Sequence, residues 1–205
     1  MMHLKSIVIL LLILAISCKE EPAKSTYAVV NTVKEKDYTK EISHILSFAE
    51  QNNYNTDIAL LIDYSLHSGF NRFFVVDLHT KIILKKGLVC HGSCKGKSAY
   101  SKAKFFSDVV NSNCSTLGMA VVSERAYSNW GKKYKYWLEG LEEKNKNMRK
   151  RVVVLHAWEG VPDEEIYPKA LATSWGCPTV SIKFLDKLDA LLKENKKVLL
   201  YSFSD

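Results

Sequence analysis

The chain has 205 residues, 47% of them hydrophobic and 25% charged, with a formal net charge of +7. That balance excludes a disordered polymer and, at this length, fits a single domain with a full core. The surplus of positive charge favours acidic partners: nucleic acid, anionic lipid or a carboxylate-rich polymer.

The N-terminus reads as a leader. After a short start carrying Lys5, Ile7 to Ile16 (IVILLLILAI) is unbroken and apolar. Ten residues are too few to cross a bilayer as a stable helix but suit the h-region of a signal peptide. Ile16-Ser17 before Cys18 resembles a bacterial lipobox. Residues 1–17 are therefore predicted to be a signal peptide, with Cys18 the lipidated N-terminus of an exported protein. One lipid chain tethers without spanning, which predicts a periplasmic or cell-envelope location on a membrane anchor. Export argues against nucleic acid and favours an envelope polymer as partner. Residues 18–37, polar and holding Pro22, read as a tether to a domain over 38–205.

From Tyr38 the pattern turns regular. Ile42, Ile45, Leu46 and Ala49 recur at helical spacing, so the segment is an amphipathic helix. Asn55 to Ser65 reads as a short element, helical and then extended. "RFFVVDL" and "KIILKKGLV" flank a turn and predict a hairpin, with His79 a solvated turn residue. A stretch rich in Gly, Ser and Lys follows without period, and a loop of that length is usually functional. Strands are predicted near 118–122, 134–138, 152–158 and 198–203. The basic group Lys144, Lys146, Arg149, Lys150 and Arg151 reads as a solvated face. "SIKFLDKLDALLKEN" is a helix capped by Ser181, with Phe184, Leu185, Leu188, Leu191 and Leu192 on one face.

Two residues carry the chemistry. His156 ends the apolar run "VVVLHAW", where a polar ring needs a partner. Cys177 sits in "ATSWGCPTVS", on a Gly-Cys-Pro bend just before a helix. A thiol becomes a nucleophile when a histidine or a helix N-terminus stabilises its thiolate. Gly176 clears space beside the sulfur, and the free N–H groups of a tight turn can donate to an oxyanion.

His156 followed after seventeen residues by Ser174-Trp175-Gly176-Cys177 resembles the signature of YkuD-type L,D-transpeptidases. "FFVVDLHTKIILKKGLVCHG", "NSNCSTLGMA", "RVVVLHAW" and "ATSWGCPTVS" together are similar to the murein L,D-transpeptidase catalytic domain, over roughly 71–181. Thr179 stands where the broader family has an arginine, and Ala157 where the branch has Gly or Ser. The resemblance implies a mostly β, L,D-transpeptidase-like twisted sandwich with an N-terminal helix and a helix after the cysteine. It implies acyl transfer on peptidoglycan stem peptides by a monomer, with no metal or organic cofactor. Cys177 would be the nucleophile and His156 the base. Gly176 and Cys177 would supply oxyanion N–H groups, and Ser174 would belong to the same catalytic turn. His91, Trp175 and Ser115 are the implied substrate-binding residues, His91 with a loop-holding role as its alternative. If water resolves the acyl-enzyme, the activity becomes L,D-carboxypeptidase. A wall-binding lipoprotein without chemistry is the remaining alternative.

In an oxidising compartment "CHGSC" with Cys114 reads as a disulfide site before a zinc site. Cys94 with Cys114 is the first choice, because Cys90 with Cys94 would close a very small loop. Cys177 is expected to stay reduced, within hydrogen-bond reach of the His156 imidazole.

Overall fold

Among the described residues, eight strands and two α-helices follow one another in the order α1 (Thr39–Asn52), β1 (Ile58–Asp63), β2 (Phe73–Asp77), β3 (Ile83–Gly87), β4 (Gly118–Tyr127), β5 (Tyr134–Gly140), β6 (Val154–Ala157), β7 (Thr179–Val180), α2 (Ile182–Glu194) and β8 (Leu199–Phe203). The computed structural model describes residues 36–204. The predicted signal peptide, Cys18 and most of the tether lie outside the described residues. No described helix is long and apolar enough to cross a membrane.

The fold is mostly β. The strands form one mixed sheet in the order β3-β2-β1-β8-β4-β5-β6-β7, with β1/β8 and β6/β7 parallel and the other neighbours antiparallel. Central β1 is buried at every position, so Ile58 to Asp63 is strand throughout. The partly helical reading of that segment is corrected: an apolar run covered on both faces has no period to read. The β2–β3 hairpin forms as expected. Asp77 Oδ1 accepts the backbone N–H groups of His79 and Thr80 at 3.0 and 2.7 Å, closing the turn.

Each helix covers a different part of the sheet. From α2, Phe184, Leu185, Leu188 and Leu192 pack on Leu60, Ala120, Tyr136 and Leu155. Burying each such side chain is worth about 1.5–3 kcal/mol relative to exposure. The cap is the one the sequence predicts: Ser181 Oγ accepts from Phe184 N at 3.0 Å. On the opposite face Ile42, Ile45 and Ala49 of α1 pack on Leu61, Val76, Met119 and Leu199. Those partners belong to β1, β2, β4 and β8. Among the described residues no helix packs on the β5–β6–β7 end of that face, and the cleft opens there.

Candidate active site

The floor of the cleft is a row of side chains crossing three strands. In the β5–β6 register Tyr136 faces Leu155 and Trp137 faces Val154, so one step earlier Lys135 comes opposite His156. Across the next ladder His156 pairs with Thr179, and Thr179 bridges to Cys90. Opposed residues share a face of a sheet at about 5 Å per strand. Lys135, His156, Thr179 and Cys90 therefore stand side by side, and all four line a cleft of about 570 Å³. Trp130, Trp158 and Trp175 wall it, and Trp175 is 78% exposed.

Cys177 reaches this row from the bend ahead of β7. Its carbonyl accepts Ser174 Oγ–H at 2.7 Å, and Gly176 N–H donates to the same Ser174 oxygen at 3.1 Å. Ser174 thus shapes the turn. Gly176 has φ +109°, and a Cβ there would meet the Cys114 carbonyl at 2.7 Å, so only glycine fits. The expectation that Gly176 and Cys177 both offer N–H groups is corrected, because the Gly176 N–H is already committed. The Cys177 N–H has no acceptor among the described residues.

The imidazole also differs from expectation. Among the described residues no hydrogen bond joins His156 to Cys177. Cys177 Sγ lies 3.6 Å from the Val152 carbonyl oxygen. His156 Nδ1 lies 3.2 Å from the Ala157 carbonyl oxygen, which can only accept, so we assign the proton to Nδ1. The Nε2 lone pair then faces Thr179 Oγ1 at 3.0 Å. The same hydroxyl lies 3.3 Å from the Cys177 carbonyl oxygen, so rotating one O–H bond frees Nε2.

Burial sets the resting charges. It pushes the Cys177 thiol up, against the Val154 backbone amide and the Arg151 and Lys135 cations that favour thiolate. It holds His156 down, with Lys135 adding to the effect. Thiol and neutral imidazole are the resting pair. Val152, 52% exposed with φ +59°, is a β-branched residue in the left-handed region. The strand predicted to start there begins at Val154, after a tight turn through Met148 to Val153.

His91 and Ser115 are not in the cleft. His91 is 0% exposed. Its Nδ1 accepts from Arg72 Nη2 at 2.8 Å and its Nε2 donates to the Ala99 carbonyl at 2.8 Å. Burial first, and Arg72 second, bring it down to about 4. Its role is the loop-holding one. Ser115, also buried, accepts the Gly92 N–H at 2.9 Å.

The long loop is cross-linked by Cys94–Cys114, while Cys90 and Cys177 are free. Burial raises the Cys90 thiol to about 12, which leaves it inert. Among the described residues no cluster could hold a metal ion. Arg151, expected on a solvated face, is instead 3% exposed and holds the loop through the Cys114 carbonyl at 2.6 Å. Sequence reasoning misplaced Arg151 and passed over Lys135 and Arg72. A basic residue directly ahead of an apolar strand was the available signal for Arg151 and Arg72.

A family model described as the L,D-transpeptidase catalytic domain matches residues 30–201. No curated protein matches the chain. Among solved structures, an L,D-transpeptidase from Xylanimonas cellulosilytica is 9% identical, covering 82% of this chain and 78% of its own, with a TM-score of 0.41. The helical cell shape determining protein Pgp2 from Campylobacter jejuni is 11% identical, covering 72% of this chain and 48% of its own, with a TM-score of 0.43. The chain thus spans about half of Pgp2.

Proposed function

Because the chain belongs to the L,D-transpeptidase catalytic-domain family, we propose that it transfers acyl groups on peptidoglycan stem peptides through Cys177. The observation that carries this reading is a free cysteine at the cleft, beside a neutral histidine whose proton-accepting nitrogen is held by one rotatable hydroxyl. The Cys177 sulfur attacks the carbonyl carbon of the L-centre at stem position three while its proton passes to His156 Nε2. Thr179 turns its O–H to the Cys177 carbonyl and accepts from the imidazolium. Both groups rest neutral, so proton transfer accompanies attack.

The Cys177 N–H donates to the oxyanion. Collapse breaks the C–N bond, and His156 returns its proton to the departing D-amino acid's amine, leaving a thioester. A second stem's amine then attacks that carbon, the C–S bond breaks, and the proton returns through His156 to the sulfur. Water in place of the amine gives a trimmed stem. Trp175 borders the substrate path.

The Cys94–Cys114 bridge suits an oxidising compartment. It supports export to the envelope; we further propose Cys18 as the lipid anchor and a protein that acts as a monomer. Incubation with a carbapenem-type β-lactam should add one adduct mass on Cys177. Incubation with tetrapeptide stems should yield cross-linked dimers, or tripeptides if water is the acceptor. An unmodified Cys177 together with unaltered stems would sink the reading and leave a wall-binding protein. Labelled palmitate retained by Cys18→Ala would remove the anchor.

A further inference from the structure

The cleft lining contains two basic side chains, Lys135 and Arg151, and no carboxylate. Arg151 is spent. Its guanidinium donates to the Cys114 carbonyl at 2.6 Å, to Ser112 Oγ at 3.3 Å and to Asp108 Oδ1 at 3.4 Å, and also to Thr116 Oγ1. Those bonds fasten the loop behind Gly176, and little of the side chain reaches solvent.

Lys135 is in the opposite situation. Its ammonium lies 5.1 Å from the Trp137 ring centroid. Among the described residues no carboxylate pairs with it, although Lys132, Lys144 and Lys146 each find one. Continuing the β5–β6 register one residue past the Tyr136–Leu155 pair brings it opposite His156, which pairs in turn with Thr179, two residues after Cys177. The surroundings include the indoles of Trp130 and Trp158 and no competing carboxylate. A cation in such a setting attracts an anion more strongly than a surface lysine does.

We propose that Lys135 is a carboxylate-binding subsite, which anchors a stem peptide by one of its free carboxylates beside the reacting carbonyl. This rests on the acyl-transfer reading for the choice of ligand. Two carboxylates of a stem meet the description: that of the terminal D-amino acid, and the side-chain carboxylate of an acidic diamino acid at position three. The subsite also bears on the base. Lys135 acts to hold His156 neutral, and a carboxylate docked on the ammonium offsets that cation when substrate is in place.

Binding tests this independently of turnover. Full-length Cys177→Ala protein is titrated calorimetrically with three tetrapeptides: the free acid, one amidated at the terminal carboxylate and one amidated at the diamino-acid side chain. One amide should bind about tenfold more weakly than the free acid, which identifies the carboxylate engaged. Lys135→Met on the same background should lose that preference by weakening only peptides that carry the engaged carboxylate, and Lys135→Arg should keep it. Equal weakening of all three peptides by Lys135→Met, an unchanged preference, or no binding of any peptide overturns the subsite. Wild-type turnover of the free acid is scored separately. Acid preference without turnover removes acyl transfer and leaves the subsite, whereas turnover without a Lys135-dependent preference removes the subsite and leaves acyl transfer.

Discussion

His91 and His156 both sit where extended chain meets a loop, and both are held neutral by burial. Their surroundings divide the molecule in two. Around His91 most of the hydrogen-bonding capacity is used: Arg72 donates to the Val89 carbonyl at 2.8 and 3.1 Å and to the Leu66 carbonyl at 3.0 Å, and both imidazole nitrogens are bonded. Around His156 capacity is left over. Thr179 has two acceptors for one proton, the Cys177 N–H has no acceptor among the described residues, and Lys135 has no carboxylate. A saturated network holds a shape, whereas an unsaturated one facing a cleft can change partners during a reaction.

The comparison can be broken at several points. The largest effect is expected from Cys177→Ser, which should lower turnover and β-lactam acylation by on the order of a thousandfold or more while leaving the thermal midpoint near wild type. Turnover near wild type would move the nucleophile elsewhere. On the saturated side, Arg72→Met strands the buried Val89 carbonyl, the half-buried Leu66 carbonyl and His91 Nδ1. It should cost about 3–5 kcal/mol in urea unfolding, and a loss below about 1 kcal/mol would remove the contrast between the two regions.

The pH dependence of stability should also come from that side. His91 titrates at about 4 in the native protein against an ordinary 6.5. Below pH 6.5 the unfolded chain binds a proton that the folded chain refuses. Stability from this group is therefore whole above pH 6.5 and is lost progressively down to about pH 4, amounting to about 3 kcal/mol. Unfolding curves across that window should show His91→Gln, less stable at neutral pH, losing less than wild type.

Thr179→Val keeps shape and removes the hydroxyl. It should lower kcat about tenfold to a hundredfold and shift the acid limb of the rate profile, and Thr179→Ser should restore both. A loss confined to stability would make Thr179 a packing residue. The smallest effect is Val152→Gly, which relieves a left-handed β-branched residue and should stabilise by about 1 kcal/mol. A destabilised variant would show that the valine side chain contributes more than its backbone costs.

The sequence by itself determined the amphipathic helices, the Ser181 cap, the hairpin turn at Asp77 and the motif spacing of a glycine-flanked thiol and a distant histidine that both line the cleft. These are carried by local chemistry: helical period, capping residue, turn residue and motif spacing. It misplaced His91 and Ser115 because proximity to a motif says nothing about which way a side chain faces. It took Arg151 for a solvated residue because a run of cations looks the same whether or not one member folds inward. The row from Lys135 to Cys90 was out of its reach. That row exists only because β5, β6 and β7 pair in one register, bringing together residues far apart in sequence, and only tertiary structure fixes register and face.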